Sequence, residues 1–289
     1  MNWLYPVLLV GLVATSGGKA TSGVSSTVNA AVAPTTWADD MVAWWSMDQA
    51  NPTNDAGSGT CGGTASNCNL TANGNYTTSS SIRVQGTAAG SMDGTGDYAT
   101  CAGGTCTALN RSSSTTWGCF AYGSGGVMGR SGTPLYDYRI LYDGLQFTCL
   151  EASAAAASTA TATSSAGTSE WVSSVCVYDS GAAALVAYAD GSAGTTTTSA
   201  VVMAASTNTF YIGNSFAVAD SNFSGYIDDC FVYAGTMTAT SVCRICSCGV
   251  DGSLCMCDYA DTTAYANKGR NGSDCGSCTL PSCNAASPS

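Results

Sequence analysis

Sixteen cysteines, seventeen aspartates and no histidine set the chemistry open to this 289-residue chain. Without imidazole there is no Ser-His-Asp or Cys-His nucleophile, and no zinc site that needs a histidine ligand. The even cysteine count suits disulfides formed in an oxidising compartment, outside the cytosol. Eight cysteines lie in the body of the chain: Cys61, Cys68, Cys101, Cys106, Cys119, Cys149, Cys176 and Cys230. Eight more crowd the end as Cys243-x2-Cys246-x-Cys248-x6-Cys255-x-Cys257-x17-Cys275-x2-Cys278-x4-Cys283. That tail has too few bulky apolar side chains to order itself without cross-links. Its connectivity is not fixed by spacing. Cys243-x2-Cys246 and Cys275-x2-Cys278 also have the paired spacing of a four-thiolate zinc site, a chemistry of reducing compartments that would leave the other thiols idle.

Charge excludes further classes. A net charge of −11 with only eight Lys and Arg offers no patch to neutralise phosphates, so nucleic acid is not an expected partner. The longest apolar run, residues 3–14, is too short to span a bilayer and contains Pro6, so no membrane span is expected. It has the length of a signal-peptide core but no Lys or Arg before it, which leaves two readings: a cleaved leader or a retained apolar arm.

The elements that must position these residues read as short strands. Leu, Ile, Val and Phe supply only 43 of the 289 residues, so Tyr, Trp and Cys must make up part of the core. Short alternating runs broken by Gly, Asn, Asp and Ser begin near Trp37, the pattern of an all-β sandwich. Strands are expected at 42–47, 117–122, 138–142, 145–150, 172–178, 185–189, 209–212 and 226–233. Asp143-Gly144 and Asp190-Gly191 supply turns. Residues 15–37 read as linker, residues 152–169 as a low-complexity loop, and no long amphipathic helix is expected.

Alternation sorts the cysteines and acids. Residues 174, 176 and 178 share one strand face, as do 228, 230 and 232, while the adjacent Asp228 and Asp229 point to opposite faces. Cys61 with Cys68, and Cys101 with Cys106, close short loops. Cys119, Cys149, Cys176 and Cys230 are left as two cross-strand bridges or as buried thiols, with Cys119–Cys230 and Cys149–Cys176 the favoured pairs.

Together the runs resemble laminin G-like domains of the concanavalin A-like lectin/glucanase superfamily. Val42-Ala-Trp44-Trp45-Ser-Met-Asp48 is similar to the opening strand, and Asn54-Asp55-Ala-Gly-Ser-Gly59 to the loop after it. Met92-Asp93-Gly-Thr-Gly-Asp97-Tyr98 and Trp117-Gly-Cys-Phe-Ala-Tyr122 resemble the next landmarks. Trp171 to Asp179, Ala187-Tyr-Ala-Asp190-Gly191, Phe210-Tyr-Ile-Gly213 and Phe223-Ser-Gly-Tyr-Ile-Asp228-Asp229-Cys-Phe-Val-Tyr233 resemble the closing strands. The resemblance implies an all-β, two-sheet antiparallel jelly roll over residues 38–242. It is preceded by a leader or arm with linker at 1–37 and followed by a small disulfide-rich extension at 243–289.

The resemblance also implies where chemistry should gather. Glucanase-type relatives place paired glutamates on one strand, as retaining glycosidases require. Here the only glutamates, Glu151 and Glu170, stand far apart, so no enzyme activity is expected and a hydrolase is a remote third reading. Calcium is the expected use of the acids: the closing strand returns beside the first, bringing Asp48 near Asp228 or Asp229, with Asp55 joining from its loop. The alternative is that these aspartates cap turns. Sugar binding asks for aromatic platforms with polar neighbours, and Tyr136, Tyr138, Arg139, Tyr142 and Trp44 are the candidates. The plainer reading places most of these rings in the core.

Two functions follow. One is a non-catalytic, extracellular or surface adhesion protein that binds a glycan or protein through the jelly roll. The other is a structural subunit of a virion or other surface assembly, stabilised by copies of itself or by other particle neighbours. Asn-x-Ser/Thr sequons stand at Asn69, Asn75, Asn110, Asn222 and Asn271.

Overall fold

A computed structural model describes residues 40–248, apart from 56–60, 62–67, 85, 133–134, 153–156, 164–166, 199–202, 204–206 and 215–221. The described residues all belong to one unit, Ala33–Ser289. The leader and linker, and the tail beyond Cys248, lie outside them.

The expected strands form, with shifted ends, and six more join them. They are β1 (Met41–Trp45), β2 (Thr71–Asn73), β3 (Thr77–Ser79), β4 (Ala89–Asp93), β5 (Tyr98–Cys101), β6 (Thr115–Gly132), β7 (Leu135–Tyr142), β8 (Gln146–Ala152), β9 (Ala157–Thr163), β10 (Val172–Asp179), β11 (Ala184–Ala189), β12 (Ser192–Thr198), β13 (Thr209–Ile212) and β14 (Ser224–Ala234). One sheet runs β12-β11-β10-β6-β14, with β1 and β4 on the far side of β14 and β3 outside β4. The other runs β9-β8-β7-β6-β13-β5-β2. All the pairings are antiparallel, as the jelly-roll expectation requires.

Strand β6 belongs to both sheets. Its first half pairs with β10 and β14, its second with β7 and β13. The crossing is made where Gly123 faces Gly225, and a Cβ on either would lie about 2 Å from a backbone oxygen of the opposite strand. Both have φ near +136°, which only glycine adopts without strain.

Between the sheets lies the main core. Trp45 stacks on Phe210 at 5.1 Å and donates its indole N–H to the Cys68 carbonyl at 2.7 Å. Trp117 packs on Tyr138 at 5.2 Å. Cys119–Cys230 ties β6 to β14, and Cys149–Cys176 ties β8 to β10 across the core, the two pairs favoured above over buried thiols. Cys61–Cys68 and Cys101–Cys106 close their short loops. Cys243 and Cys246 are disulfide-bonded as well, which removes that pair from the zinc alternative.

Two expectations need correction. Part of the stretch read as a loop, 152–169, is strand β9: its Ala160 and Ala162 are buried, while Thr159 and Thr161 face outward and bond Thr197 and Thr195 of β12. Alternating Ala and Thr is a strand pattern of low hydrophobic contrast, which reads as low complexity. A helix, α1 (Ala239–Cys248), also forms, its first turn held by the Thr238 hydroxyl accepting the Ser241 N–H. Val242 and Ile245 are buried in a second apolar cluster with Phe120, Trp171, Val175 and Phe231 on the outer face of the first sheet.

Tyrosines replace much of the missing aliphatic core, with a consequence for pH. Burial pushes Tyr76, Tyr178, Tyr188 and Tyr233 above the ordinary phenol range, and Tyr142 up to about 12. Nearby Asp190, Asp143 and Glu170 add to the effect of burial at Tyr142. The folded state thus favours neutral phenols, while the unfolded chain ionises near pH ~10. Stability is therefore lost as pH rises through that value, because the unfolded state sheds its protons first. With no histidine in the chain, thermal melts should be level between pH ~6 and ~9 and fall steeply above. A melting temperature that holds into strong alkali would contradict this.

Candidate functional site

The acidic residues are gathered at the end of β1, but as anchors. Met47 turns the chain with φ +56°, and Asp48 then accepts the N–H groups of Thr87 and Ala88, both at 2.6 Å. Gly86 fits only without a side chain, since a Cβ there would meet the Asp48 carboxylate at 2.3 Å. Asp55 accepts the Ser46 N–H at 3.1 Å, and its own N–H bonds the Trp44 carbonyl.

Asp228 and Asp229 do not point to opposite faces. The register of β14 against β6 shifts between Asp228 and Phe231, and Asp229 has φ +46°, so a bulge interrupts the alternation. Both carboxylates end up buried, serving the outer side of the first sheet. Asp228 accepts Val84 N–H at 2.7 Å and Asp229 N–H at 2.9 Å; Asp229 accepts the Trp44 indole N–H at 3.0 Å. Among the described residues, no three Cys, Asp or Glu side chains converge on a point where a metal ion could sit. The four aspartates do not fit a shared calcium cage. Each of the four accepts a backbone or indole N–H, closer to the turn-capping alternative.

The expected sugar platform also divides. In β7, Tyr138 and Tyr142 point inward and are fully buried. Tyr138 donates its hydroxyl to the Leu109 carbonyl at 3.2 Å; Tyr142 donates to Gly144 at 3.1 Å and stacks on Phe147 at 4.0 Å. They are core residues, a correction that follows from strand period alone: 138, 140 and 142 share the inner face. Tyr136 pairs with Ser131 in the β6–β7 ladder, and its side chain lies outside what is described. Trp44 is half-buried and committed to Asp229.

Arg139, one position out of phase with the buried tyrosines, lies on the outer face of the second sheet. There the ladder places Arg139 opposite Gly129, Gly129 opposite Tyr211, Tyr211 opposite Thr100 and Thr100 opposite Thr71. A Cβ on Gly129 would press on that of Arg139 at 2.7 Å, so the glycine is what lets the Arg139 side chain lie over the ladder next to Tyr211. Beside this row Tyr98 pairs with Asn73, and its ring meets Tyr211 edge-on at 5.7 Å. Asn73 donates to the Thr100 hydroxyl at 3.0 Å and to the Thr71 carbonyl at 2.9 Å. Tyr98, Tyr211, Thr100, Asn73 and Arg139 are all half-buried.

Two phenol rings, an amide, hydroxyls and a guanidinium on one rigid sheet can stack on and hydrogen-bond a polar ring. None of these positions carries a carboxylate. Glu151 is fully buried on the inner side of β8, and Glu170 is exposed just before β10. Tyr98 and Tyr211 were absent from the expected site, although the inward Cys101 and Phe210 set the parity that sends both outward.

A laminin G-like family model, described as the concanavalin A-like lectin/glucanases superfamily, matches residues 93–243. The chain belongs to that superfamily. Solved structures agree on the fold. Domain 4 of AbnA, an extracellular GH43 arabinanase from Geobacillus stearothermophilus in complex with arabinotriose, superposes with a TM-score of 0.52 at 15% identity, covering 70% of this chain and 96% of that one. The binding domain of botulinum neurotoxin serotype D gives 0.54 at 10% identity, covering 72% of this chain and 50% of that one. The binding domain of botulinum neurotoxin DC, in complex with rat synaptotagmin II, gives 0.52 at 8%, covering 71% and 51%. The concanavalin A-like chain thus spans about half the length of the toxin domains. No curated protein matches it.

Proposed function

We propose that this concanavalin A-like chain is a non-catalytic recognition protein of an extracellular or surface setting, holding a glycan on the outer face of its second sheet. The observation that carries the reading is the Tyr98–Tyr211 pair facing Arg139 across Gly129. Ten disulfide-bonded cysteines support an oxidising location, and no helix among the described residues is long and apolar enough to cross a membrane. The arabinotriose held by a domain of similar fold supports an oligosaccharide as the ligand class. The arrangement of the glutamates supports binding without hydrolysis.

A glycan array that includes arabino-oligosaccharides and ganglioside headgroups tests this. The wild-type protein should give discrete hits, and incubation with each hit should release no new reducing ends. Tyr98→Ala should weaken the best hit about tenfold, the loss of one ring contact worth ~1–1.5 kcal/mol. A blank array, or cleavage of the bound glycan, would overturn the proposal.

A further inference from the structure

We infer that Asn75 is an N-glycosylation site whose glycan shields the β3 end strand of the sandwich. Of the four sequons within the described residues, three have their asparagine engaged or enclosed. Asn69 accepts the Asn54 N–H at 2.9 Å through its side-chain oxygen. The side-chain oxygen of Asn110 is buried. Asn222 accepts the Asn214 carboxamide at 2.9 Å beside a β-bridge between the same two residues. Asn75 differs: it is exposed, and its carboxamide makes no hydrogen bond to another described residue. Its backbone is fixed instead, its N–H held by the buried Asp97 carboxylate, in a turn that Tyr76 closes by donating to the Asn73 carbonyl. Gly74, at φ +67°, makes the turn tight enough to leave the following side chain in solvent.

The position of that turn gives the modification a role. It joins β2 to β3, and among the described residues each is an end strand of its sheet: β2 pairs with β5, and β3 with β4. Unpaired strand edges template association with other chains unless something covers them. On β2 the Ala72 N–H is already held by the Asn51 side chain at 3.0 Å, whereas β3 carries Thr77 and Ser79 with no lysine, proline or inward charge to blunt it. A bulky hydrophilic glycan on Asn75, two residues before Thr77, stands beside that edge. The oxidising compartment implied by the disulfides is also where such transfer occurs.

The chemistry is an exchange at one anomeric carbon. The Asn75 carboxamide nitrogen bonds to C1 of an oligosaccharide carried on a polyprenyl diphosphate. The C1–oxygen bond to the diphosphate breaks, the lipid diphosphate leaves with the bonding pair, and the amide nitrogen loses one proton. Thr77 supplies the sequon hydroxyl, and the inference does not depend on the ligand-binding face.

The test is site-by-site occupancy in the full chain secreted from a host that glycosylates. The protein is treated with peptide N-glycosidase in heavy-oxygen water and mapped by mass spectrometry. Asn75 should be recovered as heavy-labelled aspartate. Asn75→Gln and Thr77→Ala should each remove one glycan mass, and Thr77→Ser should retain it. Enzymatic removal of the glycan from the folded protein should raise its concentration-dependent association in light scattering. Recovery of Asn75 as unmodified asparagine would overturn the site, and unchanged association after deglycosylation would overturn the shielding role.

Discussion

Removing Cys119 and Cys230 together, as Cys119→Ala with Cys230→Ala, should cost ~2–5 kcal/mol of stability in urea titrations. The bridge closes a separation of 111 residues, so it restrains more of the unfolded chain than any other described disulfide. Cys149–Cys176 closes 27 residues, Cys61–Cys68 seven and Cys101–Cys106 five. Losses should therefore rank in that order when each pair is removed. The double alanine variant also leaves space in a fully buried core, which adds to the cost. Equal losses from the Cys61–Cys68 and Cys119–Cys230 pairs would show that chain restraint is not how these bridges stabilise the sandwich.

The second large effect is expected at Asp228. Its carboxylate is fully buried and accepts two backbone N–H groups. Asp228→Ala leaves both donors without an acceptor, and each such group costs ~1–3 kcal/mol. The variant should lose ~2–5 kcal/mol, and Asp228→Asn, which keeps one acceptor oxygen, about half as much. Melts of the wild type should be the same with and without EDTA, since the aspartates hold amides and an indole. A fall in melting temperature with EDTA that matches the Asp228→Ala loss would return the cluster to a calcium role.

Much of this architecture is written in the residue pattern. The strand period put Cys176 and Cys230 on inward faces, and their bridges to Cys149 and Cys119 are present. The same period, followed through β7, separates Arg139 from the buried Tyr138 and Tyr142; grouping the three by residue type rather than phase misplaced two of them. Phase failed at Asp228 and Asp229 for a different reason. A bulge adds a residue to one strand, and no local signal in Tyr-Ile-Asp-Asp-Cys marks it. Strand β9 was hidden because its inward residues are alanines, too small to stand out against threonine. The half-exposed pair Tyr98 and Tyr211 comes from strands more than a hundred residues apart, so only the β5–β13 register brings the rings together.

The central claim is that the outer face of the second sheet holds a glycan. Calorimetric titration of the tightest array glycan into the wild type and into the double variant Arg139→Ala with Tyr211→Ala tests it most directly, with thermal melts run on both. The account predicts that the double variant melts close to the wild type, because both side chains are half-exposed, and that its affinity falls by about a hundredfold or beyond detection, ~2–3 kcal/mol for two contacts. An unchanged Kd in a folded double variant would place the ligand elsewhere and contradict the account.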